Sequence, residues 1–159
     1  MRYIKPFNES INPDEFEELK DFCETSLINL IDRDTTNDDC IIEYTVIGGI
    51  RINPSIINNS INIVLFGPLS DDNGLGDTGY ERLSNWCWND VKDSYIPFIQ
   101  LLKRRYKLAT NYIDFKFRTT RSRYEMSDKS FRIEDVINDR IDLDKSNLFS
   151  ISVKIIGKI

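Results

Sequence analysis

Apolar residues recur along the chain with two different periods, and the alternation between them outlines the fold. After Asn12 the spacing is helical: Phe16, Leu19, Phe22 with Cys23, Leu27, and Leu30 with Ile31 line one face, predicting an amphipathic helix over 13–32. Asn12 as N-cap, Pro13 in the first turn and Glu15 three residues after the cap mark its start. The acidic, polar stretch 32–39 ends it. Residues 40–52 (CIIEYTVIGGIRI) turn β-branched and aromatic, predicting a strand at 40–47 with Gly48 and Gly49 in a turn or bulge. Turn residues fill 53–60, and 61–66 (INIVLF) reads as a second strand, antiparallel to the first across the short connection.

Helical spacing returns over 83–107, where Trp86, Val91, Tyr95, Phe98, Leu102 and Tyr106 form one stripe. Pro97 falls inside it and predicts a kink or a broken first half. Its last turn is basic, which suits the negative end of the helix dipole. Residues 112–119 then alternate strictly, with Ile113, Phe115 and Phe117 on one side and Tyr112, Asp114, Lys116 and Arg118 on the other. A polar loop at 120–129 and a short helix at 131–138 lead to a final strand, 148–156, whose Phe149, Ile151, Val153 and Ile155 share a face. The order αββαβ(α)β predicts an α+β two-layer sandwich, with about four mostly antiparallel strands under two long helices. A ferredoxin-like arrangement permuted to begin at its first helix has that order. A segment of residues 1–11 precedes a single domain over 12–159.

Composition narrows the chemistry. Of 159 residues, 40% are hydrophobic and 30% charged, which is ordinary for a globular chain. There are 23 Ile and 14 Asn but one Ala, the signature of an AT-rich genome. His is absent altogether. That removes Ser-His-Asp and Cys-His nucleophile systems and His-containing zinc sites together. Carboxylates and lysines could still act, but no convergent pair is apparent, and the expectation is a protein that is not an enzyme. Cys23, Cys40 and Cys87 form no CxxC pair, and an odd count closes no disulfide framework. They read as reduced thiols, with Cys23 and Cys87 packed as small hydrophobes on the helices. No apolar run reaches the ~20 residues of a membrane span.

Two loop motifs carry less than they suggest. Counting Asp71 as the first position of a calcium loop puts Arg82 where a bidentate Glu is required. Gly74-x-Gly76-x-x-Gly79 matches a dinucleotide fingerprint, yet Asp72 and Asp77 would repel a pyrophosphate. Neither a metal nor a cofactor is expected. The remaining candidates are surfaces. Lys103, Arg104, Arg105 and Lys107, with Arg118, Arg121 and Arg123, interleave with Tyr106, Tyr112 and Tyr124 and could meet nucleic acid or an acidic protein. The net charge of −5 weighs against the former. Trp88, two residues from Trp86, points away from that stripe and is a candidate interface residue at the rim.

The opening MRYIKPFNES resembles a segment shared by many small proteins of tailed phages, particularly the AT-rich phages of Bacteroidota that include the crAss-like group. Many of those proteins continue as helix, two strands, helix and strands. In other tailed phages, similar short segments target proteins to the capsid and are removed after an L/I-x-E sequence. Here Ile41-Ile42-Glu43 alone fits that pattern, inside a predicted strand. Tyr3, Ile4 and Phe7 beside Arg2 and Lys5 form a short hydrophobic and basic hook, which either docks on a partner or packs on its own domain. The resemblance implies a phage protein of the virion or the host cytoplasm acting by contact with other phage proteins or with itself. An early protein that binds a host factor is the alternative, and a nucleic-acid-binding accessory protein the third.

Overall fold

The computed structural model describes residues 5–6, 13–30, 49–55, 59–66, 87–118, 126–143 and 147–159. The first long element is α1, Pro13–Ser26, with Asp14 and Glu15 at its positive end. It buries Leu19, Phe22 and Cys23, and the apolar stripe continues past its end into a turn that buries Leu27 and Leu30. The helix expected to 32 therefore stops early. The Leu30 N–H reaches back three residues to the Leu27 carbonyl at 2.8 Å, a tighter bond than α-helical spacing makes.

Two antiparallel strands follow, β2 at Gly49–Ser55 and β3 at Ser60–Phe66, in register from Gly49 opposite Phe66 to Ser55 opposite Ser60; β1 is the two-residue Lys5–Pro6. The strand expected at 40–47 lies outside the described residues. Gly49, expected in a turn, opens β2 instead, and Asn53-Pro54-Ser55 continue it. The pattern allows this: Ile50 and Ile52 are buried and alternate with Arg51 and Asn53. Proline is tolerated because β2 ends the strand order among the described residues. Asn59, at φ 47, turns the chain back into β3, a conformation asparagine accepts more readily than most residues.

Helix α2, Trp88–Arg105, runs unbroken through Pro97, so of the expected kink or break the break does not occur. Pro97 and Asp93 are both exposed, so the carbonyl that loses its donor lies on the solvent side. The helix passes directly into β4, Tyr106–Leu108; Tyr106, expected as its last stripe residue, already belongs to the strand and remains buried. Next come β5 at Tyr112–Arg118, β6 at Met126–Arg132, α3 at Ile133–Ile137 and β7 at Asn147–Lys158. Strand β5 follows the alternation expected of it: Ile113, Phe115 and Phe117 are buried while Tyr112, Asp114 and Lys116 are exposed. Strand β6, expected as a polar loop, is held in place by its pairing with all of β5.

All seven strand segments join one antiparallel sheet, in the order β2-β3-β7-β5-β6, with β1 and β4 on the far end of β7. The fold is α+β. Its order β2-β3-β7-β5 and the strand directions are those of a ferredoxin-like sheet cut to begin at its first helix, with β6 and α3 added beyond β5. The sheet-facing residues of α1, α2 and α3 and one face of the strands form a single core, including Leu19, Phe98, Ile63, Phe115 and Val153. Phe115 sits at its centre, edge-on to Trp88 at 5.5 Å and to Phe131 at 5.3 Å. Burying such a ring contributes roughly 2–3 kcal/mol by transfer alone.

Phe149 does not take the core position expected of it. The register between β5 and β7 slips between Lys116 and Phe117, so Phe117 opposes Leu148 while Lys116 opposes Ser150. The extra residue turns Leu148 inward, and Phe149 meets Phe66 edge-on at 5.9 Å, a ring outside the core cluster.

Candidate functional site

A larger irregularity in the pairing along β7 adjoins a cleft. Leu108 opposes Ile155 and Asp114 opposes Ser152, so five residues on one side span what two span on β7. Strand β4 and strand β5 are thus one strand with three extra residues looped out between them. Bulges of this kind re-aim side chains, and they recur beside functional sites. Local bonds hold the loop: the Ala109 N–H donates to the Lys154 carbonyl at 2.8 Å, and the Ile133 N–H donates to the Asn111 carbonyl at 2.9 Å. The Thr110 hydroxyl donates to the Tyr112 carbonyl at 3.1 Å.

The cleft has a volume of about 580 Å³, within the range of ligand-binding clefts. Its walls come from the last turn of α2 (Lys103), from β4 (Tyr106, Lys107, Leu108), from the looped-out segment (Asn111), from the paired ends of β5 and β6 (Tyr112, Arg132), from the start of α3 (Ile133, Glu134) and from Ile159. The Tyr112 ring is 46% exposed and Ile159 is 39% exposed. Tyr112 and Arg132 are directly opposed across β5 and β6, which places their Cβ atoms about 5 Å apart on one face. An exposed phenol ring thus stands beside an exposed guanidinium.

Three cations and one carboxylate line the cleft. Lys103 Nζ donates to Glu134 Oε1 at 2.8 Å, tying α2 to α3. That hydrogen bond, and then the ammonium charge, hold the Glu134 carboxyl below the usual carboxylate range. Among the described residues no carboxylate pairs with Lys107 or Arg132. The Tyr106 phenol is pushed up to about 12, first by burial and then by the Glu18 charge, so it stays neutral at ordinary pH. The site offers two unneutralised cations, a third held by an internal carboxylate, and an apolar floor. It can hold an anionic group, and Glu134 is the one acidic side chain among the described lining residues.

The expected basic patch is divided. On consecutive helical positions Lys103 turns into the cleft, while the Arg105 guanidinium lies over the Phe22 ring of α1 at 4.8 Å. Arg104 is exposed. Arg118 ends β5 at the opposite end from Tyr112, about 20 Å away at strand rise. Arg121, Arg123 and Tyr124 lie outside the described residues. Tyr106, expected among the interleaved aromatics, is 3% exposed and packs in the core.

Trp88, a candidate interface residue at the rim, is 4% exposed and packs in the core. It is the first residue of α2, where the chain enters the helix from an extended Cys87, and its indole reaches Phe115 under the helix. The indole N–H donates to Asp139 Oδ1 at 3.0 Å, which satisfies its polar end inside the fold. The Trp88 indole is thus taken up within the fold. Of the N-terminal hook, Lys5 and Pro6 pair with Lys158 and Gly157 of β7, on their own domain. Tyr3, Ile4 and Phe7 lie outside the described residues, as do Cys40 and both loop motifs.

Arg132, Asn111 and Glu134 are the polar cleft residues that the sequence pattern did not place in a patch. Arg132 sits in a stretch without apolar alternation, and only the β5–β6 register brings it to Tyr112. Among the described residues no group of Cys, Asp and Glu could hold a metal ion, and no helix is long and apolar enough to cross a membrane. Comparison with protein-family models, with curated proteins and with solved structures finds no match.

Proposed function

We propose that this chain is a non-enzymatic protein of a tailed phage that works by protein–protein contact as a component of the virion. The observation that carries the contact reading is the concentration of Lys103, Lys107 and Arg132 in one cleft of a chain whose net charge is −5. A cationic concavity on an acidic protein favours one kind of neighbour, since complementary charge steers encounter and like charge suppresses wrong partners. The exposed Tyr112 beside Arg132 adds the residue types that interface hot spots favour. The phage context rests on the resemblance of residues 1–10. In this reading the contact surface is the cleft, because Lys5 and Pro6 are engaged by β7 of the same chain.

Mass spectrometry of purified virions tests the assignment. The protein is expected among the particle components at a constant ratio to the major capsid protein. Its absence from virions, together with a host protein co-eluting from infected cells, would move the assignment to an early host-directed factor.

A further inference from the structure

Around the cleft the cations do not extend into a track. Two residues from Tyr112 on the same face of β5 stands Asp114, which accepts a hydrogen bond from the Ser130 hydroxyl opposite it. One position further along that face, Asp128 opposes Lys116. A polynucleotide following the sheet from Arg132 would bring its next phosphates against Asp114 and Asp128. Non-specific nucleic-acid affinity depends on neutralising several phosphates in succession, and here the sign of the charge alternates within a few residues. A short segment with two or three carboxylates needs no more than the cleft supplies.

Glu134 gives the site a second property. Its carboxylate lines the cleft and already occupies Lys103 at 2.8 Å. Both members are accessible, with side-chain exposures of 39% and 69%. An accessible ion pair of this kind is weak and readily exchanged. An incoming carboxylate can replace Glu134 on Lys103, but only by meeting the repulsion of the displaced acid.

Resting on the contact function proposed above, we infer that the cleft binds an acidic peptide segment of a partner protein, with Lys107 and Arg132 holding its carboxylates and Glu134 acting as an internal competitor for Lys103. Glu134 sets the threshold of acidity that a segment needs in order to bind. A single carboxylate meets Lys107 or Arg132; a run of them also captures Lys103.

Fluorescence anisotropy with the full chain at low salt tests this, using a fluorescein-labelled octapeptide of alternating Asp and Glu and a fluorescein-labelled dT octamer. The peptide is expected to bind in a salt-sensitive manner and more tightly than the oligonucleotide. Lys107→Glu with Arg132→Glu is expected to weaken it by about ten-fold or more. The neutral pair Lys107→Gln and Arg132→Gln gives a smaller loss and guards against misfolding of the charge-reversed variant. Glu134→Gln is expected to tighten peptide binding by about three- to five-fold. Tighter binding of dT than of the peptide overturns the peptide assignment in favour of nucleic acid. Failure of the peptide to bind either the parent or Glu134→Gln overturns the cleft as a contact surface. Peptide binding that Glu134→Gln leaves unchanged overturns the competitor role alone.

Discussion

The core and the cleft are built from the same elements and differ in how far the strand pairing beside them departs from regular register. Along α2, Val91, Tyr95, Phe98 and Leu102 are buried in the core. One residue later the helix reaches the place where β4 and β5 part from β7, and Lys103 faces open space. Strand β5 shows the same change from its own side: Phe115 is sealed between Trp88 and Phe131, while Tyr112, three residues back, stands exposed beside Arg132. A one-residue slip between Lys116 and Phe117 leaves Phe117 and Leu148 buried. The three additional residues between β4 and β5 adjoin an open cleft instead.

If this division is correct, substitutions on the two sides have separable effects. Phe115→Ala removes the ring at the centre of the core and is expected to cost about 3–5 kcal/mol in denaturant unfolding. Less severe is Trp88→Phe, which keeps an aromatic ring against Phe115 but loses the N–H bond to Asp139; about 1 kcal/mol is expected, read from the same titration. Arg132→Glu and Lys107→Glu are expected to leave the unfolding midpoint unchanged while weakening the acidic peptide. A midpoint shift comparable to that of Trp88→Phe would mean that the cleft is part of the core after all.

Two smaller effects sharpen the same contrast. Asp139 receives hydrogen bonds from Lys92 and from Trp88, and these hold its carboxyl below the ordinary Asp value. A folded value below the unfolded one contributes stability above the unfolded value, and that contribution is lost as pH falls through the folded value. Stability is therefore expected to decline below about pH 4, with a shallower decline in Asp139→Asn, measured by thermal unfolding across pH 3–6. Burial, reinforced by the Glu24 charge, pushes the Cys23 thiol well up, whereas Cys87 is only partly buried at the N-cap of α2. Iodoacetamide is accordingly expected to label Cys87 before Cys23 in the folded protein, as read by peptide mass mapping.

Much of the layered fold was legible in the chain because it rests on periodicity. The stripe of α1, the alternation of β5 and the apolar run of β3 each fix an element and its buried face. What escaped were the features set by pairing. Strand β6 (MSDKSFR) carries no alternation of its own and is a strand because β5 supplies its partners. Phe149 fits the alternation of β7 and still leaves the core, because one register slip reassigns every face before it. Gly49 read as a turn from its type, yet it opens β2 opposite Phe66.

For the cleft the sequence carried half of the information. Lys103, Lys107 and Tyr112 were visible as basic and aromatic residues near the end of a helix. Their association with Arg132 and Glu134, more than twenty residues further along, depends on the looped-out segment and on α3. Helical fanning separates Arg105 from Lys103, and the length of β5 separates Arg118 from both. A run of like charges in sequence is therefore a poor guide to a patch in space.

If contact is made at the cleft, a bound peptide perturbs the residues that line it. Amide chemical-shift mapping of the isotope-labelled full chain, titrated with the alternating Asp/Glu octapeptide, tests this most directly. Saturable shifts are expected at residues 103–112 and 132–134, with the rest of the core unmoved. Shifts concentrated at Lys5–Pro6 or at the Arg118 end of β5, or none at saturating peptide, would contradict contact at the cleft.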